Sequence, residues 1–388
     1  GLEKAAFICA FFCALAGLRS VAQGSVAIQN AGEFLARQPP GRRYLALTFG
    51  GQMFALVLNY GAIGLLGSLA MTNARTEKDP EIRRHRTRRM LLAIQRGFTS
   101  TLPWSPLSFA VAITTALIPN TSWATVAIPG LVTGALMAGT GWALDSMFKP
   151  RRNRAARLRA RPDGNWLLMW PLFALLCIIL ISIVTLFLLT GIRVVGLVIL
   201  IVPVVAGVWA FLQVRGPAAR RGAGSFLGWL KIHVFTELPD VSGEVVLLMM
   251  AGYIGTVGSA LLLPILASTG LGLSALPTPI ILVACVWFIP LAGQIGMNPI
   301  LAVTLLAPLV PSSEVLGVTP EAIVLAITAG WALSGVTSPF TATTLLIGSF
   351  ANVSARHVGW TWNRGYFLIS ATMLSAWVTL YAYTNVSS

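Results

Sequence analysis

Long apolar runs dominate this sequence and constrain its fold more than any other feature. Runs long enough to cross about 30 Å of hydrocarbon lie near residues 4–20, 44–71, 123–147, 166–190, 193–212, 243–266, 278–311 and 366–383. Charged residues make up only 10% of the chain, whereas a soluble domain carries roughly 25%. We therefore expect an all-α, multi-pass protein of the cell membrane.

The basic residues cluster in short segments beside these apolar runs. The net charge is +15, with eight Lys or Arg in residues 72–96 and seven in residues 149–161. The positive-inside rule predicts that the loops 72–96, 149–161 and 215–231 are cytoplasmic. Such loops would meet anionic lipid headgroups of the bilayer, and no nucleic acid is expected as a partner.

The sequence carries no signature of soluble-type catalysis or of a metal site. All four cysteines lie in apolar runs without CxxC or Cys/His ligand spacing, and the three histidines are scattered. No nucleophile elbow, dinucleotide-binding glycine motif or Walker A loop occurs. We therefore expect a protein that is not an enzyme, with no catalytic residue, no metal centre and no cofactor apart from a coupling ion.

Two segments that combine proline with several hydroxyl residues are nearly alike, GFTSTLPWSPLS at 97–108 and GVTSPFTATTLL at 335–346. Other similar pairs keep the same order along the chain, namely 3–17 with 244–258, 51–52 with 293–294 and 120–122 with 352–354. The shared order predicts a duplication. It divides the chain into a first repeat (1–165), a linking helix pair with a basic loop (166–234) and a second repeat (235–388).

The charge pattern predicts that the two repeats enter the membrane in opposite senses. The counterparts of the first repeat's basic loops are residues 311–321 and the C-terminal segment, which contain no Lys or Arg. Conversely, Arg356 and Arg364 lie where the first repeat has the uncharged segment 119–130. Parallel repeats would carry their charges at matching positions, so we expect inverted-topology repeats.

Each repeat also contains an apolar run that is long enough to turn back on itself. Basic segments flank residues 44–71 on both sides, which predicts a re-entrant hairpin with its tip near 59–61. The counterpart, 278–311, would turn near 296–299. A plain crossing, with the parity of crossings restored elsewhere, is the alternative.

Pro103 and Pro339 should each break a helix at membrane depth, because proline interrupts the hydrogen-bond ladder. Backbone groups freed there need a polar cavity or protein contacts. Carbonyl and hydroxyl oxygens suit a small cation such as Na⁺, and the N-terminus of the following half-helix favours an anion. Paired breaks in inverted repeats are typical of a secondary transporter's binding site. The alternative is that these residues only kink and pack the helices.

The breaks Gly335-Val-Thr-Ser-Pro339 and Thr101-Leu-Pro103, together with Gly-Met-Asn-Pro-Ile at 296–300, resemble motifs of the ion transporter superfamily. That superfamily includes the divalent anion:sodium symporters and the large membrane subunits of TRAP carboxylate transporters. The resemblance implies a hairpin followed by a broken helix in each repeat, and an anionic, carboxylate-type substrate. It also implies a solute-binding protein or a small membrane subunit as partner.

We predict a secondary active transporter that moves a small anionic solute by alternating access, coupled to Na⁺ or H⁺. No chain of acidic residues that could relay protons is visible, which favours Na⁺. The residues expected to bind solute or ion come from the breaks and the hairpins: Thr99, Ser100, Thr101, Ser105, Thr337, Ser338, Thr341, Thr343, Asn59, Asn298, Gln52 and Gln294. Pro103 and Pro339 are expected to shape the breaks rather than to bind.

Other interpretations stay open at this point. The same broken helices could form an oxygen-lined ion channel, or the chain could be the membrane subunit of a multi-component, TRAP-like transport system. A homodimer is the assembly considered for the carrier. Arg19, at the end of the first apolar run, either snorkels to the interface or faces a cavity.

Overall fold

A computed structural model describes residues 2–39, 41–148, 164–215, 226–240, 242–268 and 276–385. Within these ranges the chain forms eighteen α-helices, linked by turns and by short 3-10 or π-helical segments, and no strand. The basic segment 149–161 and residues 216–225 of the third predicted cytoplasmic loop lie outside the described residues.

The helices of the first predicted repeat lie between residues 2 and 147. They are α1 (Leu2–Gln23), α2 (Val26–Ala36), α3 (Arg43–Leu58), α4 (Gly61–Arg75), α5 (Pro80–Thr99), α6 (Phe109–Leu117) and α7 (Trp123–Met147). The linking region contains a 3-10 turn (Trp166–Met169), α8 (Trp170–Thr190), α9 (Val194–Arg215) and α10 (Phe226–Ile232).

The helices of the second predicted repeat follow a π-helical turn, His233–Glu237. They are α11 (Leu238–Asp240), α12 (Ser242–Ser268), α13 (Thr278–Ala292), α14 (Pro299–Leu306), α15 (Ser313–Leu316), α16 (Pro320–Thr337), α17 (Ala342–Ala351) and α18 (Arg364–Thr384). Further 3-10 turns occupy Gly293–Ile295 and Ala307–Leu309, and a second π-helical turn covers His357–Trp362.

Seven helical segments of the described chain are long and apolar enough to cross a membrane. They are Ala5–Gln23, Trp123–Met147, Trp166–Thr190, Val194–Val214, Thr278–Ile295, Pro320–Ala351 and Arg364–Thr384. The predicted all-α, multi-pass membrane fold is thus confirmed. The opposite insertion of the two repeats stays a prediction, because the charged loops on which it depends are partly outside the described residues.

Both predicted hairpin turns occur where the sequence placed them. In the first repeat, α3 ends at Asn59, whose φ of 49° is one that asparagine tolerates better than most residues. In the second, Gly296 has a φ of 91° and Asn298 caps α14 by accepting a hydrogen bond from the N–H of Ile300. With 16 residues, α3 is about 24 Å long, shorter than the hydrocarbon core.

The structure differs from the sequence prediction at residues 72–96, which are mostly helix rather than loop. The Asp79 carboxylate accepts hydrogen bonds from the N–H groups of Glu81 and Ile82, and Pro80 occupies the first turn of α5. Both features favour a helix start. The apolar residues from Met90 onward then carry α5 into the protein interior, where residues 90–99 are all buried.

In each repeat the first arm of the hairpin packs tightly against the helix that leads to the break. A methyl group on Gly97 of α5 would lie 2.3 Å from the carbonyl oxygen of Thr48 in α3. Likewise, a methyl group on Gly330 of α16 would lie 2.7 Å from the carbonyl oxygen of Cys285 in α13. Only glycine allows backbones this close, so these contacts fix each hairpin beside its break.

Candidate functional site

Two helix breaks face each other in the interior, as the repeated motif predicts. The first lies between α5 and α6 at residues 100–108, and the second lies between α16 and α17 at residues 338–341. They meet where they begin: a methyl group on Gly335 would lie 2.9 Å from Cγ2 of Thr99. The side-chain amide of Gln95 also donates to the carbonyl oxygen of Gly335 over 3.4 Å.

The candidate residues of the first break are all buried. The hydroxyl groups of Thr99, Ser100 and Thr101 donate to carbonyl oxygens one turn earlier in α5, over 3.3, 2.8 and 2.7 Å. The Ser105 hydroxyl accepts a hydrogen bond from the N–H of Leu107 at 3.1 Å. Pro103 is also buried and lies in the middle of the non-helical stretch, as expected of a residue that shapes the break.

The candidate residues of the second break form a denser group of hydroxyls. Thr337 donates to the Leu333 carbonyl at 2.9 Å, and Ser338 donates to the Gly293 carbonyl at 2.7 Å. The hydroxyl oxygen of Thr341 lies 3.0 Å from that of Thr343, and Thr343 donates to the Gly335 carbonyl. Pro339 is half-buried within the break.

Thr344 belongs to the same group, although the sequence prediction did not include it. Its hydroxyl donates to the carbonyl oxygen of Ser338 at 2.5 Å and lies 3.1 Å from the hydroxyl of Thr341. The TATT run around it shows several hydroxyls without showing which of them turn inward. Which of these hydroxyls face the break depends on how α17 packs against α16, which the sequence does not show.

The candidate residues of the hairpins have different surroundings. Gln52 donates from its amide to the hydroxyl of Ser100 at 2.9 Å, which ties the first hairpin to the first break. Gln294 donates to its own helix at Pro290 and accepts from the indole N–H of Trp360 at 2.9 Å. Asn298 is the cap of α14, and Asn59 lies at the wall of a small cavity of about 20 Å³.

In each repeat, an element that comes later in the chain packs over the break, and glycine residues allow the two backbones to approach closely. On α7, a methyl group at Gly130 would lie 2.3 Å from the Pro103 carbonyl oxygen. One at Gly134 would lie 2.4 Å from the carbonyl oxygen of Ser100. On the π-helical turn 357–362, a methyl group at Gly359 would lie 2.1 Å from the carbonyl oxygen of Thr337. The breaks are thus packed by protein rather than left open, which satisfies the requirement on irregular backbone at membrane depth.

Sequence reasoning missed a buried arginine beside the breaks. Arg96 is only 5% exposed, and no carboxylate of the described residues lies within ion-pair distance of it. Its guanidinium donates to Oδ1 of Asn363 and to the hydroxyl of Tyr44, both at 3.1 Å. It also lies 4.4 Å from the ring centroid of Tyr366. The sequence signal for Arg96 is its position between the apolar residues 90–94 and the break, but the basic residues that precede it make it resemble part of a basic loop.

Asn363 connects this arginine to both breaks. Its side-chain amide donates to Oε1 of Gln95 at 3.0 Å and to the carbonyl oxygen of Val336 at 3.2 Å, and the residue is fully buried. Gln95 and Arg96 precede the first break, whereas Val336 precedes the second. The Arg96–Asn363 network therefore holds the two breaks in a fixed relation.

A sizeable cavity lies beside these breaks rather than between them. It has a volume of about 520 Å³ and is formed by the end of α1, the tip of the first hairpin and the start of α17. Arg19, Gln23 and Tyr60 supply its polar groups, and leucines of α4 and α17 supply apolar walls. None of the twelve residues predicted to bind solute or ion lines this cavity, but Arg19 does, and Ala342 in its wall lies between Thr341 and Thr343.

Within the described residues, no group of three or more His, Cys, Asp or Glu side chains could hold a metal ion. The oxygen atoms available at the breaks come from hydroxyls and backbone carbonyls instead. Such neutral oxygens are ligands for an alkali cation rather than for a transition metal.

Solved structures of membrane transporters resemble this fold. The YdaH transporter of Alcanivorax borkumensis matches with a TM-score of 0.58 and 17% identity, over 96% of this chain and 85% of that one. MtrF of Neisseria gonorrhoeae, described as illuminating a class of antimetabolite efflux pumps, matches with a TM-score of 0.56 and 13% identity, over 98% and 83%. No sequence family and no curated protein matches the chain. At these identities the likeness is one of fold, and the fold is that of membrane transporters.

Proposed function

We propose that this protein is a secondary active transporter that moves a small anionic solute, of the carboxylate class, by alternating access coupled to Na⁺ or H⁺. One observation carries the proposal. Two helix breaks, one from each half of the chain, meet through the Thr99–Gly335 contact and each is bound to its own hairpin. Paired broken helices at a repeat interface are the recurring design of transporter binding sites.

The chemistry of the breaks supports Na⁺ as the coupling ion. Apart from Ser105, each predicted hydroxyl residue donates its single proton to a backbone carbonyl. The hydroxyls of Thr99, Thr101 and Thr337 accept no hydrogen bond from any described residue, so their oxygen lone pairs remain available to a cation. Those of Ser100 and Ser338 each already accept one hydrogen bond, from Gln52 and from the N–H of Phe340. Ser334, one turn before Ser338, has a buried hydroxyl with no hydrogen-bond partner among the described residues. A buried polar atom of this kind calls for an ion or water.

Concentrative transport is the test that separates a carrier from a channel. Purified protein would be reconstituted in liposomes with a Na⁺ gradient, and uptake of radiolabelled acetate, benzoate and succinate would be followed. A carrier accumulates at least one of them above its external concentration, and a Na⁺ ionophore abolishes the accumulation. Equilibration without accumulation would instead support the channel.

The direction of transport and the coupling ion are resolved by the same vesicles. MtrF is described as belonging to a class of efflux pumps, so the gradient is imposed in both orientations. A pH gradient replaces the Na⁺ gradient in a parallel set to test proton coupling. Protein-free liposomes are the control, because uncharged acetic and benzoic acid cross a bilayer and follow a pH gradient without a carrier. Failure of every probe under every gradient would overturn the proposal. Transport by this chain alone would remove the need for a TRAP-like partner.

A further inference from the structure

The cavity between α1, the first hairpin and α17 carries a feature that the helix breaks do not explain. We propose that it is the binding site of a small monoanion with an apolar body, and that Arg19 binds the anionic group. The site is outside the set of break and hairpin residues discussed so far. Naming its ligand as the transported solute rests on the proposed function, whereas the binding itself does not.

Arg19 is a cation without a partner in the described structure. It lies one turn before the end of α1, is half-buried, and makes no hydrogen bond or ion pair with any residue that the structure describes. A charge in a membrane-spanning segment is costly unless a partner or water meets it. Arg96 shows the contrast, since Asn363, Tyr44 and the Tyr366 ring already occupy its guanidinium.

Two nitrogen atoms converge on one point of the cavity wall. A methyl group on Gly61 would lie 2.8 Å from Nε2 of Gln23 and 3.2 Å from Nε of Arg19. Because residue 61 has no side chain, both nitrogen atoms can lie against the same stretch of backbone and therefore close to each other at the cavity wall. A guanidinium and an amide N–H aimed at one place suit a carboxylate or a similar oxyanion.

The rest of the cavity is suited to an apolar body. Leu65, Leu345 and Leu346 line it, together with the glycines Gly61 and Gly64. Its volume of about 520 Å³ is within the usual range for small-molecule sites. A ligand with one charged end and a hydrocarbon end would use both parts of the site. A dianion would leave its second charge against leucine.

The site is shared by the two halves of the chain. Arg19 and the Asn59–Gly61 turn come from the first half, whereas α17 begins directly after the second break. The contact between α4 and α17 is close, because a methyl group on Gly67 would lie 2.6 Å from the Phe350 ring. A ligand that fills the cavity therefore touches the half-helix behind the second break and would stabilise one arrangement of the two halves.

Ligand-dependent thermal stability of the purified full chain in detergent tests this proposal without requiring transport. Benzoate is the probe, and benzamide is its neutral counterpart of nearly equal shape. We expect saturable stabilisation by benzoate and none by benzamide. In Arg19→Gln the apparent affinity for benzoate should fall roughly ten- to a hundredfold, the usual effect of losing a hydrogen bond to a charged group. Arg19→Lys should keep part of it.

Two further variants test whether an effect of Arg19→Gln is specific to the cavity. Arg193→Gln removes an exposed cation at the start of α9, and its benzoate response should equal that of the wild type. Gly64→Leu adds a side chain where a methyl group would meet nothing within 4 Å, so it should fill the cavity and weaken benzoate binding while the protein still folds. An unchanged affinity in both Arg19→Gln and Gly64→Leu would overturn the site.

A lipid headgroup could present the same chemistry, and the assay distinguishes it. Phosphatidylglycerol is added to the micelles at fixed detergent concentration. If it competes with benzoate and its own effect is lost in Arg19→Gln, the ligand is a lipid and the solute assignment is wrong. Benzoate binding, together with failure of every probe to accumulate in liposomes under every gradient, would keep the site and reject the transporter. Accumulation that is insensitive to Arg19→Gln would do the opposite.

Discussion

The two helix breaks come from nearly the same sequence motif but have different surroundings. The first spans residues 100–108 and is covered by the α-helical α7. The second spans only residues 338–341, is covered by a π-helical turn, and has Phe340 60% exposed. The 520 Å³ cavity touches the helix that follows the second break and does not touch the first.

The different surroundings indicate that the two breaks have different roles. Both breaks supply buried hydroxyls, and the 520 Å³ cavity adjoins the helix that follows the second of them. π-helical turns are frequent at functional sites, and the one at residues 357–362 lies directly on Thr337. If the protein is the transporter proposed above, the second break is the side on which we expect the solute to arrive.

The largest effect is expected from cutting the link between the breaks. Asn363→Leu removes one acceptor of the buried Arg96 guanidinium, which keeps only Tyr44 and the Tyr366 ring, and leaves the acceptors Gln95 and Val336 unsatisfied. Each buried polar group left without its partner costs about 1–3 kcal/mol, and more where the group is charged. Thermal or denaturant unfolding in detergent measures this loss. Asn385→Leu, at an exposed position near the end of α18, should change stability by less than about 0.5 kcal/mol. Equal stability of the two variants would contradict the network.

Substitutions of two glycines of α7 test whether this helix packs against the first break. Gly134→Ala places a methyl group against the Ser100 carbonyl, and an overpacked site of this kind loses about 1–3 kcal/mol. Gly139→Ala is the matched control, because a methyl group there meets nothing within 4 Å and alanine favours the helix. A lower melting temperature is expected for Gly134→Ala only. A loss of similar size in both variants would show that α7 does not press on the break.

The smallest losses of stability are expected from removing the hydrogen bonds that join each hairpin to its break. Ser338→Ala removes a buried hydroxyl that donates to Gly293 and accepts from the N–H of Phe340, at an expected cost of about 1–2 kcal/mol. Gln52→Met removes the partly buried bond to Ser100 and should cost about 0.5–1 kcal/mol. The melting temperatures of the two variants show which of the two hydrogen bonds contributes more to stability. The reverse order would place the tighter attachment in the first repeat.

Local sequence signals were sufficient to predict the breaks and the hairpin turns. Proline beside hydroxyl residues marks residues 100–108 and 338–341, and asparagine or glycine marks both turns. The Arg96 network could not be predicted in the same way. Its partners Tyr44 and Asn363 are far away in sequence, and the basic residues before Arg96 made the whole segment resemble a loop. The cavity likewise depends on how α1 and α17 pack, which periodicity does not reveal.

A cation site where the two breaks meet would make the stability of the protein depend on sodium. Melting temperature in detergent is measured while NaCl replaces choline chloride at constant ionic strength, for the wild type, Thr101→Val and Thr337→Val. Thr328→Val is the matched control, since its buried hydroxyl bonds only within α16, away from the break. We expect a saturable, Na⁺-specific rise in melting temperature in the wild type and in Thr328→Val, and its loss in Thr101→Val and Thr337→Val. No Na⁺-specific rise, or one that all four proteins share, would contradict it.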